Sequence, residues 1–581
     1  MTVYEKTIES HKVYLPRLKE TTFDLIIIGG GITGVGILLL ASLHGYKSLL
    51  IEKDDLAFGT SSRSTKLIHG GLRYLKQGDV ALVREVGRER AVLHHQAPHL
   101  VVPEAMLLPL VKGGSLSPWM ASLGLWVYDR LAGVQKGERR KMLSKEETLL
   151  KEPLLRANDL LGGGLYVEYR TDDARLTIEV AKAAAHIGGE VLTRARVEGF
   201  VYTSSGTVAG VTVYDQESGE QIQFQARQIV NATGPWVDTL REKDNSLTHR
   251  RLHLTKGIHI VVSRERFPLR QAVYFDVSDG RMVFAIPRHD VVYIGTTDTD
   301  YTGELDAVYA HDDDVFYLLS AVKEMFPAVH LEEGDILMSW AGLRPLIHAE
   351  GKGPSELSRK DELFLSPSGL ISIAGGKLTG FYKMAERVLQ VVRASMKPPV
   401  EHIDRTRIAL SSGSLRTHED VVMYVEALSA KAASVGISYR TVEVLVHLFG
   451  VVTERLIDAS VHDHAPAEEK GPSRHVEDEH VGHNGEKRII SEDEESFLRL
   501  MQMVAKYTIE EEWARHLDDF FIRRTGAMYF YPWMMTERVI EVVSKTFQTM
   551  LGWDETKRQQ EIQRLMDEKT KHLAFRHVSV R

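Results

Sequence analysis

The residues best suited to do chemistry in this chain are three glycines, an acid and a cation held close to bare backbone. Gly29, Gly31 and Gly34 are spaced as G-x-G-x-x-G, and Glu52 follows, about twenty positions on as a dinucleotide site requires. Such glycines allow a tight turn, close approach of backbone to a pyrophosphate, and close packing of the following helix on its strand. The acid can accept hydrogen bonds from the adenosine ribose hydroxyls, which favours FAD or NAD over NADP. A second stretch, His69-Gly-Gly-Leu-Arg-Tyr-Leu75, sets Gly70 and Gly71 before Arg73 and Tyr74. Its glycine pair lets N–H groups approach a ligand, and the guanidinium fork suits phosphate or carboxylate. An ordinary turn has the same composition.

The elements around these residues are legible. Phe23–Ile28 is an apolar run of strand length, and an apolar stretch of helical length follows the glycines to Leu43. Ser48–Ile51 is a second apolar strand ending at Glu52. The whole reads as a buried βαβ unit with the pyrophosphate at a helix N-terminus. The uncharged run Leu25–Leu43 is long enough to imitate a membrane span, but its central glycines favour the strand-turn-helix reading. Thr60-Ser-Ser-Arg-Ser-Thr-Lys66 is a hydroxyl-rich loop suited to pyrophosphate or flavin atoms, or an exposed linker. Two distant strand-to-glycine turns, Gln228–Trp236 and Leu370–Thr379, suit a flavin threaded through separate pieces of chain.

Composition narrows the function. The 581 residues exceed what one core serves, so two or three units are expected. A net charge of −8 disfavours nucleic acid. Without cysteine, thiol catalysis, thiolate metal sites and disulfides are excluded, and redox chemistry requires a bound cofactor. The first twenty residues mix both charge signs and lack a secretory pattern, so a cytoplasmic location is expected.

The segments 66–75, 172–176 (DDARL), 231–236, 256–262, 294–301, 342–346 and 375–379 together resemble FAD-dependent glycerol-3-phosphate dehydrogenase. The likeness runs in order from about residue 22 to 390, and 511–528 is similar to that family's helical C-terminal domain. It implies an α/β fold: a Rossmann-like FAD-binding domain interleaved with an antiparallel-sheet cap of the D-amino acid oxidase type, plus an all-α C-terminal domain. The expected bounds are 22–395 for the interleaved pair, with the cap at about 76–160 and 246–345, and 396–581 for the helical domain. Residues 462–487, polar and carrying five histidines, are expected as a mobile loop or an insertion within the helical domain, without a tight HxxxH or HExxH metal-binding spacing.

The resemblance further implies hydride removal from C2 of sn-glycerol 3-phosphate to FAD, giving dihydroxyacetone phosphate. Arg73, Tyr74, Arg359 and Thr297 are expected at the substrate, and His259, Arg344 and Lys377 in catalysis. His259 stands in an alternating apolar strand, where a histidine is ordinarily packed; in the family site, near its usual pKa of about 6.5, it can take the C2 hydroxyl proton. Arg344 can steady negative charge on the C2 oxygen. Lys377 either positions substrate or compensates charge on the reduced flavin. The FAD contacts implied are Gly29, Gly31, Gly34, Glu52, Thr60, Ser61, Ser62, Lys66, Leu67, His69, Gly70, Gly71, Val197, Thr233, Gly234, Gly342, Gly375, Gly376, Leu378 and Thr379. Partners implied are a membrane quinone and the inner face of the cell membrane, reached as a peripheral protein, and a homodimer is allowed; an oxidase using O2 is the alternative. The stretch 117–141, aromatic and then basic, is a candidate membrane contact, although a buried cap helix explains its apolar residues equally well.

Overall fold

The computed structural model describes residues 11–68, 80–131, 140–347, 361–462, 475–481 and 487–577. The strands that build the site are, in chain order, β1 (Thr22–Ile28), β2 (Ser48–Ile51), β3 (Gln221–Asn231), β4 (Leu252–Ser263), β5 (Val291–Gly295), β6 (Ile336–Ile347) and β7 (Ile371–Ala374). The apolar run 25–43 divides into β1 and helix α1 (Ile32–Leu43). Among the described residues no helix is long and apolar enough to cross a membrane.

In the first sheet β7, β3, β1 and β2 lie side by side and parallel, with Glu190–Leu192 beyond β2 and Glu362–Leu365 antiparallel at the other edge. Strands buried on both faces need continuous apolar runs, which β1 and β2 supply. Helix α1 packs between helix Phe381–Ser395 and helix α2 (Asp173–His186), which begins where the Asp172 side chain caps the Arg175 N–H. Gly36 permits this approach, since a Cβ there would lie 2.7 Å from the Phe381 ring.

The second sheet carries the site on one face. β4 pairs with both β5 and β6, and Met282–Arg288, Ala272–Asp276, Val102–Val111 and Leu160–Arg170 continue it. Alternation along β4 sends Ile258, Ile260 and Val262 into a core with helix Asp312–Met325. Val261, Tyr293 and Trp340 are instead buried with Phe530 and Tyr531 of the C-terminal region. The two sheets draw on alternating stretches of chain, so each unit is discontinuous in sequence.

The C-terminal region is dominated by helices, including His418–Ala433, Tyr439–Phe449, Glu494–Glu511, Glu537–Leu551 and Glu555–Lys571. Within the segment expected as a loop, His475–Val481 pairs antiparallel with Lys487–Asp493, so the loop expectation is corrected there. The intervening sequence contains Asn484-Gly485, a dipeptide that favours hairpins. Residues 463–474 and 482–486 lie outside the described residues.

Candidate active site

Three neighbouring parallel strands end in glycine turns at the same edge of the first sheet. Ile28 of β1 is in register with Asn231 of β3, and Asn231 with Ser372 of β7; Gly29, Gly234 and the pair Gly375-Gly376 follow. At Gly29, φ is +112°, and a Cβ would lie 2.7 Å from the Ala232 carbonyl oxygen. A Cβ on Gly34 would overlap the Gly29 carbonyl oxygen, so glycine there lets α1 seat against the turn. Gly375 and Gly376 also have positive φ, at 84° and 80°, conformations that favour glycine. Asn231 ties the edge together: its Nδ2 donates to Val237 O at 2.9 Å, and Thr233 Oγ1 donates to its Oδ1 at 2.7 Å.

This edge fits a dinucleotide. Glu52 Oε2 accepts from the Gly30 N–H at 2.6 Å and Oε1 from Asp54 at 2.8 Å, which fixes the carboxylate beside the turn. Desolvation, and then the negative charge of Asp54, raise its pKa to about 7. Ser61 Oγ accepts from the Ile32 N–H, the first of α1, at 2.9 Å. Near Gly31 a Cβ would meet the Ser61 hydroxyl and no backbone, leaving that position open to a ligand. Val197 is buried in the strand Ala195–Tyr202, whose first residue donates its N–H to Glu52 O.

The loop after β2 fastens this edge to the second sheet. Thr60 Oγ1 donates to Leu343 O at 2.8 Å, and Trp340 Nε1 donates to Ser64 O at 3.1 Å. Gly342 admits the crossing, since a Cβ there would lie 2.6 Å from Arg63 O. Lys66 spends its ammonium inside the protein, on Asp173 Oδ1 at 2.5 Å and Ser62 O at 3.0 Å. Ser62 and Leu67 are buried beside it. The side chains of Thr60 and Lys66 are thus committed to protein partners.

His259 and Arg344 lie on strands joined by this crossing. His259 is 1% exposed, stacked on Trp340, and its Nε2 pairs with Thr65 Oγ1 at 3.1 Å. A Cβ on Gly295, opposite it on β5, would overlap the imidazole. Arg344 Nη2 donates to Thr296 Oγ1 at 2.8 Å; its Nη1 donates to Thr297 O at 3.2 Å and pairs with Asp298 at 3.1 Å. Gly257 leaves room for this guanidinium. Burial, then the positive charges of Arg344 and Lys66, hold His259 well below the ordinary histidine pKa. The expectation of a near-normal histidine is corrected: burial favours the neutral imidazole.

Thr297 is buried and its hydroxyl accepts from the Ile258 N–H at 3.1 Å, a structural use. Lys377 directly follows the Gly375-Gly376 turn, half-buried, with Leu378 and the buried Thr379 opening the next turn. His69, Gly70, Gly71, Arg73, Tyr74 and Arg359 lie outside the described residues. Trp340 went unnoticed in the sequence, and Asp298, within the segment 294–301, was not singled out. Strand register sets Trp340 opposite His259, and register across eighty intervening residues has no local signal.

Residues 24–440 match the FAD dependent oxidoreductase family, and residues 423–558 match the C-terminal domain of alpha-glycerophosphate oxidase. The chain is 46% identical over 548 residues to the aerobic glycerol-3-phosphate dehydrogenase of Bacillus subtilis (strain 168), covering 93% of each. It is 44% identical over 519 residues to that of Staphylococcus aureus (strain MRSA252), covering 88% of each. The crystal structure of glycerol-3-phosphate dehydrogenase from Bacillus halodurans complexed with FAD superimposes with a TM-score of 0.78 at 37% identity, covering 98% of each chain.

Proposed function

Because this chain belongs to the FAD-dependent glycerol-3-phosphate dehydrogenase family, we propose that it oxidises sn-glycerol 3-phosphate to dihydroxyacetone phosphate and passes the electrons to a membrane quinone. The observation that carries this reading is the meeting of the glycine edge with His259 and Arg344 through the loop 59–66. FAD, when bound, would supply the acceptor for the hydride from C2. Gly29, Gly31, Gly34, Glu52, Thr233 and Gly375 are the residues that would hold it.

The protein's own part is to orient the alcohol and take its proton. His259, its Nε2 paired with Thr65, is the residue to which the C2 hydroxyl proton goes. A neutral imidazole is the form able to do so. Arg344, held by Thr296, Thr297 and Asp298, steadies the developing charge on the C2 oxygen without needing to reorganise. Arg73 and Arg359 grip the phosphate, as the family resemblance implies.

A membrane acceptor is supported by the helix Pro118–Leu131. Trp119 is 71% exposed, and Met120, Leu123 and Trp126 are also exposed; basic residues of 136–141 follow in sequence. This composition suits the interface of an anionic membrane, with the protein peripheral on its cytoplasmic side.

The test is anaerobic addition of sn-glycerol 3-phosphate to the yellow holoenzyme. Bleaching of the flavin band, reversed quickly by a quinone analogue and slowly by O2, is the expected result. Fast reversal by O2 with peroxide release assigns the oxidase reading instead, and no bleaching rejects the substrate.

A further inference from the structure

Two sequence motifs play no part in the chemistry above, Asp172–Leu176 and 511–528, and in the structure they meet. Arg175 donates Nη1 and Nη2 to the two carboxylate oxygens of Glu512 at 2.6 and 2.9 Å, and Lys182 Nζ reaches the same carboxylate at 3.2 Å. Seven residues further on, the π-helical turn Asp519–Arg524 reaches the cofactor edge. Arg524 donates to both oxygens of Asp55 at 2.6 and 2.7 Å, and Arg523 Nε donates to Asp55 Oδ2 at 2.5 Å. Arg194 and Arg523 both donate to Asp519 Oδ1 at 2.5 Å. Asp55, Glu512, Asp519 and Arg524 are fully buried.

Stability alone is a poor explanation for so many buried charges, since well-packed apolar residues commonly do as well. What the cluster adds is a fixed location for the chain leaving β2. Asp55 stands three residues beyond Glu52. Ala57 N donates to Gly30 O at 3.0 Å, and Arg194 N donates to Asp54 O at 3.0 Å. The segment 52–57 is therefore gripped by the glycine turn on one side and by the C-terminal domain on the other.

We propose that Arg523 and Arg524 are positioning residues for FAD. By holding Asp55 they set where Glu52 and the Gly29–Gly34 turn present themselves to the adenosine and pyrophosphate, so docking of the helical domain and FAD binding are coupled. Linkage makes the coupling reciprocal: FAD tightens the docking by the factor by which docking tightens FAD. The inference rests on FAD lying along this turn and is independent of substrate and electron acceptor.

Hydrogen exchange on the full-length wild-type protein, as holoenzyme and after removal of FAD, tests it. Amides of 519–524 are expected to exchange about tenfold more slowly with FAD bound, a typical size for such coupling; unchanged exchange there overturns the proposal. Arg524→Lys is expected to bind FAD about tenfold more weakly, followed by flavin fluorescence after dilution. Arg558→Gln, which breaks ion pairs with Glu541 and Glu555 in the same domain, is expected to release FAD as wild type does. A folded Arg524→Lys protein with wild-type FAD affinity also overturns the proposal, and if that variant does not fold the exchange result decides.

Discussion

The imidazole of His259 lies face to face with the indole of Trp340, ring centroids 4.8 Å apart and planes 12° from parallel. Trp340 is fixed in turn by Ser64 from the cofactor loop and by the rings of Tyr529 and Phe530, at 5.3 and 5.8 Å, from the helical domain. All three units thus contribute to the setting of one side chain. For His259 as the proposed base the acceptor form is neutral imidazole, which is complete above the residue's pKa and lost as pH falls through it. Because that pKa is held well below 6.5, kcat/KM for sn-glycerol 3-phosphate is expected to keep its acid limb well below pH 6.5. Trp340→Leu removes the stack and loosens the burial, and should move the limb upward. His259→Asn should lower kcat by about 10²–10⁴-fold with FAD still bound. A limb indifferent to Trp340 would count against His259 as the base.

Arg344 is oriented by three oxygens, and this places demands on its replacement. A lysine keeps the charge but cannot address Thr296, Thr297 and Asp298 with a planar fork. Arg344→Lys is therefore expected to lower kcat by about 10²–10³-fold, the usual effect of removing a preorganised donor. Single-turnover flavin reduction under anaerobic conditions separates this loss from reoxidation. Reduction at the wild-type rate would remove Arg344 from the chemical step.

Gly34 tests the cofactor edge without touching any titratable group. A Cβ there overlaps the Gly29 carbonyl oxygen, backbone that cannot swing away as a side chain would. Gly34→Ala should displace α1 from the turn, so that the purified protein shows a reduced ratio of flavin to protein absorbance. Gly113→Ala, where a Cβ would meet nothing within 4 Å, provides a control for general substitution effects; its positive φ of 79° makes a modest stability loss expected while flavin content is retained.

The cofactor edge was legible because its signals are local. The strand β1, the spacing of Gly29, Gly31 and Gly34, and Glu52 all fall within one βαβ unit, and each residue's type follows from its immediate backbone. The antiparallel cap was legible as alternation, which placed Ile258 and Ile260 on one face of β4 and His259 on the other. Alternation does not fix register, so the Trp340 stack and the Asp298 pair on Arg344 were hidden. The shifted pKa of His259 was hidden too, because it depends on burial by residues from three separate parts of the chain. Nothing in the sequence marks Asp55, Arg194 or Arg523 as charges that will be buried by partners hundreds of residues away.

His99 carries a stability prediction. It is fully buried, neither ring nitrogen has a hydrogen-bond partner among the described residues, and burial holds it well below the ordinary pKa, reinforced by His447, Arg175 and Lys182. Unfolded, it protonates at about 6.5. The unfolded state therefore binds more protons than the folded state below that pH, and stability is full above about 6.5 and declines as pH falls towards the lowered folded value. Buried His259 adds to the same slope. The Tm of the holoenzyme should drop between pH 7 and pH 5, and His99→Leu should make the drop shallower. An unchanged slope would show that the acid loss comes from groups other than His99.

The exposed face of helix Pro118–Leu131 offers a test of the proposed membrane contact. Trp119, Leu123 and Trp126 recur at spacings of four and three, which puts them on one side of a helix, and each is at least 46% exposed. Single exposed apolar residues need no explanation, but two tryptophans and a leucine aligned on one face match the aromatic, apolar side of an interfacial helix. Trp119→Ser with Trp126→Ser should reduce co-sedimentation with vesicles containing anionic phospholipid, and should slow turnover with a long-chain quinone held in the bilayer. Turnover with a water-soluble acceptor should stay at the wild-type rate, because these side chains are exposed whereas His259 is buried. Equal loss with both acceptors would mean that the helix supports the fold rather than the membrane, and wild-type vesicle binding by the double variant would assign the contact to another surface.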